Sequence, residues 1–486
     1  MIFLLAAIAF YVALNLGAND VANSMGTSVG SKALSLRQAL AIAGILEFAG
    51  AAIFGSRVSE TLATGVINSE MFAPEPEVLL VGMVSVMLAC GLWLQTATSR
   101  GWPVASSHAI VGALAGFSWV AKGAIAVEWQ AIGLISAAWV VTPLVSGLIA
   151  ALIYSLVKRW ILEHPEPKRQ LQEWIPWLSS ALLGVFGTIV LPSAIAPLNT
   201  WLYHQFALAI PVHNLAIAVG AAATISLTLI SWRQLDGEWA SGIGHRASGI
   251  GDKRQGDMGT EGQGDMGTEE QGSPMPNAQS PMLITHPPTP SREGEVAQCP
   301  MPDAQCPMPN AQCPIQNSLL ESQFVRFQIL SACFVAFAHG SNDVGNAVAP
   351  LAAIAYILRE KTIPQGDFAI PFWILALGGA GIVAGLAIWG KKVISTVGEG
   401  IIPLKPSGGF CAELATATTV LIASHLGLPV STSHALVGGV VGIGLVQNAK
   451  SIKMQTLKSI ALAWLVTLPV AAVLGAGLFS LMRSLL

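Results

Sequence analysis

Three polar motifs occur twice in this chain, in the same order and each time within an apolar stretch. Gly17-Ala-Asn-Asp-Val-Ala-Asn23 returns as Gly340-Ser-Asn-Asp-Val-Gly-Asn346. Gly101-Trp-Pro-Val-Ala-Ser-Ser-His108 returns as Gly427-Leu-Pro-Val-Ser-Thr-Ser-His434, and Trp139-Val-Val-Thr142 as Trp464-Leu-Val-Thr467. The copies lie 323 to 326 residues apart. The chain is therefore an internal duplication, and its fold must place two equivalent halves.

The surroundings of these motifs set the fold class. Apolar segments lie near 2–25, 36–58, 78–99, 104–122, 129–157, 175–192 and 207–231, then near 326–357, 370–390, 407–426, 430–447 and 459–482. They are too long and too continuously apolar for barrel strands, and backbone in lipid must be helical or closed into a barrel. Of the 486 residues, 53% are hydrophobic and 10% charged, against about 25% charged in soluble domains. A soluble enzyme, a nucleic-acid binder and a secreted disulfide scaffold are excluded. The expectation is an all-α polytopic membrane protein of about twelve helical segments, some of them re-entrant. The first run lacks a basic n-region and a small-residue cleavage site, so it reads as a span rather than a signal peptide.

Parity orients the halves. The first segment and its copy, the eighth, are separated by an odd number of segments' starts, so the copies face opposite ways. Re-entrant hairpins remove crossings in pairs and leave that parity intact. Two inverted-topology repeats are the signature of a secondary transporter. Residues 1–231 hold the first repeat with connecting helices, and 324–486 the second. Between them, 232–323 carries five basic and twelve acidic residues and two low-complexity repeats, GDMGTEGQGDMGTEEQG and the CPMP units. Such a segment cannot bury a core and reads as disordered. Cys299, Cys306 and Cys313 recur every seven residues without accompanying His, which reads as repeat expansion rather than a metal site. Short-loop Lys and Arg number thirteen on one side against five on the other. The positive-inside rule then puts the insert in the cytoplasm and both termini outside.

Intramembrane carboxylates are the first candidates for function, since each costs roughly 2.5–3.5 kcal/mol to insert. Asn19, Asp20 and Asn23, with Asn342, Asp343 and Asn346, present a carboxylate and an amide three residues apart on one helix face. Gly17, Gly26, Gly340 and Pro350 are expected to break these helices and expose carbonyls. Carboxylate, amide and carbonyl oxygens together suit a small hard cation. The bland alternative is an interhelical hydrogen-bond clamp.

The second motif pair reads as loop, hydroxyls, then helix start. Ser106 and Ser107, with Thr432 and Ser433, would add hydroxyl donors to free backbone N–H groups and a positive dipole end. Two such starts can grip a tetrahedral anion from two sides. A Ser–His nucleophile lacks an orienting acid, and His108 and His434 are expected to bond locally. Two carboxylates and a divalent anion in one dehydrated site would repel by roughly 3 kcal/mol per pair at ~5 Å. The anion must then travel with positive charge, which argues against an anion channel. Glu47 and Glu413 are two more intramembrane acids that break the repeat symmetry, with Ile382 and Met87 opposite. They are candidate coupling acids or bonds to a neighbouring helix.

At these motifs the sequence resembles the inorganic phosphate transporter (PiT) family. GANDVANSMGTSVGSKALS, GSNDVGNAVAPLAA, the paired PVASSH and PVSTSH elements, and GGFCAELATATTVLIAS carry the likeness over both repeats. The resemblance implies a symporter that imports inorganic phosphate with sodium or protons, working by alternating access as a homodimer in the plasma (inner) membrane. It implies no other cofactor, no enzymatic activity and no nucleic-acid partner. Asn19, Asp20, Asn23, Asn342, Asp343 and Asn346 would form the cation and substrate centre, with sodium at Asp20, Asn23, Asp343 and Asn346. Ser106, Ser107, Thr432 and Ser433 would contact phosphate, and Glu47 and Glu413 match acids of the family. Ala105 opposite Ser431 makes the two anion grips chemically unequal. The family includes sulfate permeases, and no residue here excludes sulfate.

Overall fold

A computed structural model of the chain describes residues 2–206, 211–251, 314–365, 368–397 and 401–485. These fall into two compact units, one joining Met1–Leu235 with Ser318–Leu486 and one formed by Asp236–Asn317. Residues 252–313, the greater part of the low-complexity insert, lie outside the described residues. Helix runs up to Gly251 on one side of it and begins at Pro314 on the other.

Among the described residues, each of the twelve apolar segments is mainly helical. Among the described residues there are fourteen α-helices: α1 (Ile2–Gly30), α2 (Leu36–Phe54), α3 (Ser56–Glu60), α4 (Pro76–Arg100), α5 (Ser106–Lys122), α6 (Trp129–Val157), α7 (Pro167–Ile189), α8 (Leu191–Phe206), α9 (Val212–Gly251), α10 (Pro314–Glu360), α11 (Phe372–Val397), α12 (Pro406–His425), α13 (Thr432–Asn448) and α14 (Met454–Leu485). The number of spans is smaller than twelve. Eight described stretches are long and apolar enough to cross a membrane, or nine if α7 and α8, bent by 53°, make one crossing. The short α5 and α13, 17 residues each, fall below the roughly 20 residues a span needs. They fold back on α4 and α12 as the second arms of two helical hairpins.

The hairpin turns are built alike because their sequences are alike. Gly101 and Gly427 both adopt φ +69°, the left-handed conformation that glycine takes without a Cβ penalty. Each turn closes with the same pair of bonds. Gly101 N–H donates to Thr98 O (3.1 Å) and Trp102 N–H to Ala97 O (2.9 Å), while Gly427 N–H donates to Ser424 O (3.1 Å) and Leu428 N–H to Ala423 O (2.9 Å). This satisfies carbonyls that a helix end would otherwise leave open. At the far end of the first hairpin, Lys122 Nζ donates to Glu75 Oε2 at 2.6 Å and holds that exposed carboxyl below its usual range.

The two halves pack by exchanging partners. Gly17 of α1 sits on the backbone carbonyl of Ile382 in α11, and Gly385 of α11 on that of Leu14. The counterpart crossing has Gly340 of α10 on the carbonyl of Glu47 in α2, and Gly50 on that of Phe337. The hairpins follow the same rule. Gly112 and Gly116 of α5 sit on the carbonyls of Leu468 and Ala472 in α14, and Gly438 and Gly442 of α13 on those of Pro143 and Gly147 in α6. Small residues permit such backbone approach where lipid offers no hydrophobic drive for helix association. The motif glycines therefore serve packing. The expected breaks are absent, since α1 runs unbroken through Gly17 and Gly26, and α10 through Gly340 and Pro350. On the outside, α6 exposes Leu144, Leu148 and Leu152 and α14 exposes Leu465 and Val473, an apolar exterior suited to lipid.

Candidate functional site

The two Asn-Asp motifs, remote in sequence, meet in the interior. One ligand atom from each of Asp20, His339 and Asp343 lies within 4.8 Å of the others, and all three residues are buried. Within each motif the three-residue spacing makes the expected bond. Asn23 Nδ2 donates to Asp20 Oδ1 (2.9 Å), and Asn346 Nδ2 to Asp343 Oδ1 (3.3 Å).

Both helix starts reach this centre. Asn346 Nδ2 also donates to Ser106 Oγ at 3.1 Å, and Thr432 Oγ1 donates to Asp343 Oδ2 at 3.3 Å. Ser106 and Ser107 open α5, and Thr432 and Ser433 open α13. The first intrahelical bonds are Ala109 N–H to Ala105 O and Ala435 N–H to Ser431 O. The earlier N–H groups thus stand outside the helical ladder, where an anion is favoured. Ser431 caps α13 by accepting from His434 N–H (3.3 Å), whereas Ala105 offers α5 no side-chain cap. The two helix starts are unequal, as their sequences require.

The first asparagine of each motif does something else. Asn19 Nδ2 donates to Thr98 Oγ1 and to Trp102 O, both at 3.2 Å. Asn342 Nδ2 donates to Ser424 Oγ (3.0 Å) and Leu428 O (3.1 Å), and its Oδ1 accepts from Val430 N–H (3.2 Å). These residues strap each hairpin turn to the helix that carries the carboxylate, fixing helix start and carboxylate relative to each other.

Several buried oxygens at the centre have no hydrogen-bond partner: Asp20 Oδ2, Asn346 Oδ1, Glu47 Oε2 and Ser107 Oγ. A buried polar atom without a partner is costly, so these atoms call for a ligand. Three are carboxylate or amide oxygens, the donor set of a small hard cation. The fourth is a hydroxyl at a helix start, suited to an anion.

The two symmetry-breaking acids differ in setting. Glu413 is saturated: its Oε1 accepts from Thr27 Oγ1 (2.6 Å), Ser28 Oγ (2.7 Å) and Gln328 Nε2 (3.3 Å), and its Oε2 from Ser331 Oγ (2.6 Å). It joins α1, α10 and α12. Glu47 accepts from Ser24 Oγ at 2.8 Å and lies 3.2 Å from His339 Nδ1.

His108 and His434 bond far along the chain rather than locally. His108 Nδ1 lies 3.1 Å from Trp464 O and His434 Nδ1 3.0 Å from Trp139 O. A carbonyl only accepts, so each Nδ1 carries the proton. Each ring packs at a tilt against the opposite tryptophan, His108 against Trp139 and His434 against Trp464. Ser107 Oγ and His108 Nε2 both lack partners, so the adjacent Ser and His form no nucleophile–base pair. His339 escaped the sequence reading although it stands directly before the second motif, where the first has Leu16. Comparing the two copies one residue further would have exposed it.

The chain is similar to known proteins over most of its length. The model of the phosphate transporter family matches residues 16–475. The chloroplastic inorganic phosphate transporter 2-1 of Arabidopsis thaliana is 37% identical over 467 residues, covering 96% of this chain and 69% of that protein. A solved structure, the sodium-dependent phosphate transporter, aligns with a TM-score of 0.76 at 30% identity, covering 100% of this chain and 99% of that one.

Proposed function

This chain belongs to the phosphate transporter family, and from that premise we propose that it imports inorganic phosphate by symport with sodium. The observation that carries the reading is the meeting of Asp20 and Asp343 beside the starts of α5 and α13. A divalent anion entering beside two carboxylates brings like charges together in a dehydrated site. Bound cations relieve that repulsion, so anion and cation are taken up together. Sodium is favoured over a proton because the unpartnered Asp20 Oδ2 and Asn346 Oδ1, one in each repeat, are carboxylate and amide oxygens, and an amide oxygen suits a metal cation rather than a proton.

In this reading sodium is held by Asp20, Asn23, Asp343 and Asn346, and phosphate by Ser106, Ser107, Thr432, Ser433 and the first-turn N–H groups. Glu47 supports the centre through Ser24 and His339, and Glu413 braces three helices rather than carrying an ion. The repeats are inverted, and one set of helices rocks against the other around the midplane site to give alternating access. The protein works in the plasma membrane as a homodimer, with the central insert cytoplasmic and both termini outside.

Radiolabelled phosphate uptake into proteoliposomes tests this. An inward sodium gradient should drive accumulation above equilibrium, an inward proton gradient should not, and excess sulfate should leave uptake unchanged. Accumulation under the proton gradient alone would reassign the coupling ion, and sulfate competition would reassign the substrate. Mere equilibration under either gradient would refute symport.

A further inference from the structure

The two halves differ at the centre by one matched pair of residues. Leu16 stands where the second motif has His339, and Ile382 where α2 has Glu47. These departures are partners in space. His339 Nδ1 lies 3.2 Å from Glu47 Oε1 and its Nε2 3.0 Å from Asp343 Oδ2, with every one of these side chains buried. In the other half the equivalent place is apolar, with Leu16 and Ile382 both fully buried and Gly17 packed on the Ile382 carbonyl.

The consequence falls on the two aspartates. Asp343 Oδ1 accepts from Asn346, and its Oδ2 is crowded by both Thr432 Oγ1 at 3.3 Å and His339 Nε2 at 3.0 Å. That oxygen thus has one hydroxyl donor and one imidazole nitrogen set against it. Asp20 Oδ1 accepts from Asn23, but its Oδ2 has no partner. Equivalent in sequence, the carboxylates are unequal in availability.

We propose that His339, braced by Glu47, makes the two cation positions unequal, so that the Asp20 position fills first and the Asp343 position only by displacing the imidazole. The inference rests on the sodium-coupled reading above. His339 is a positioning residue: it sets the order of loading by competing with the ion for Asp343 Oδ2. Giving up the imidazole–carboxylate contact weakens the second position by about tenfold or more. The transporter then takes phosphate only as the weaker position fills, at sodium concentrations well above those that fill the first.

Equilibrium binding of radiolabelled sodium to the purified full-length protein, at fixed pH and saturating phosphate, tests the order. Wild type should bind in two steps separated by about tenfold or more in sodium concentration. Asp20→Asn should remove the tighter step and Asp343→Asn the weaker. The double variant His339→Leu/Glu47→Ile, which installs the pair already present in the other half, should draw the weaker step onto the tighter with total capacity unchanged. A merely structural role would lower capacity or leave the separation as it was. Two equal steps in wild type, or an unchanged separation in the double variant, would overturn the proposal and leave sodium coupling standing. If the double variant does not fold, loss of the weaker step in Asp20→Asn with the tighter step kept would overturn it as well. No sodium bound by wild type would remove the sodium reading and this order with it.

Discussion

Asn346 Nδ2 donates to Ser106 Oγ at 3.1 Å, across 240 residues of chain, and so joins the carboxylate motif of the second repeat to the helix start of the first. The same amide donates to Asp343, which links the proposed anion grip and the proposed cation ligand through one side chain. Removing either partner leaves the other buried and unpaired, at about 1–3 kcal/mol. Asn346→Ala and Ser106→Ala should each raise the phosphate concentration for half-maximal uptake by about tenfold. The double variant should be little worse than either single one, because both remove the same bond. Multiplying effects in the uptake assay would show that the two residues act independently.

The glycine crossings predict a graded stability series. A methyl group at Gly17 or Gly385 would meet the backbone of Ile382 or Leu14, which cannot turn away as a side chain can. Gly17→Ala and Gly385→Ala should each destabilise by about 1–3 kcal/mol. Gly133→Ala and Gly477→Ala, where nothing lies within 4 Å, should stay within about 0.5 kcal/mol of wild type. Thermal unfolding of the purified variants reads the difference, and equal losses at all four positions would contradict the packing account.

The unequal helix starts predict opposite effects from exchanging one hydroxyl. Ser431→Ala removes the cap on α13 and should cost about 1 kcal/mol, while Ala105→Ser supplies the cap that α5 lacks and should stabilise by a comparable amount. The check is the sign of each shift in unfolding midpoint. A loss in Ala105→Ser would mean that the α5 start has no room for the added oxygen.

Glu413→Gln keeps shape but replaces one acceptor oxygen with an amide donor facing groups that also donate. Three hydroxyls and one amide now converge on this carboxylate, and the substitution leaves at least one of them unpaired in the interior. It should lower stability by about 1–3 kcal/mol. Sodium dependence of uptake in the folded fraction should be unchanged. A shifted sodium dependence would return Glu413 to the coupling machinery.

Much of the architecture was legible because it rests on local pattern. The apolar segments became helices, and the Asp-to-Asn spacing became the bonds Asn23–Asp20 and Asn346–Asp343. The missing hydroxyl at Ala105 left α5 without the cap that Ser431 provides. What escaped was set by partners distant in the chain. Gly17 and Gly340 read as helix breakers until α11 and α2 are seen pressing carbonyls against them. His108 and His434 looked local because Trp464 and Trp139, their acceptors, lie 356 and 295 residues away. Which apolar segments cross and which turn back also escaped, because α5 is apolar enough for lipid yet too short to span it. The role of Asn19 and Asn342 as hairpin straps depends on turn carbonyls, and a residue pattern does not display carbonyls.

The central claim is that phosphate and sodium occupy one site and stabilise each other there. Phosphate affinity of the purified protein, measured with and without saturating sodium, and sodium affinity, measured with and without saturating phosphate, test it most directly. The account predicts that each ligand raises the affinity for the other, and by the same factor, since linkage is reciprocal. Phosphate binding that is indifferent to sodium would contradict it.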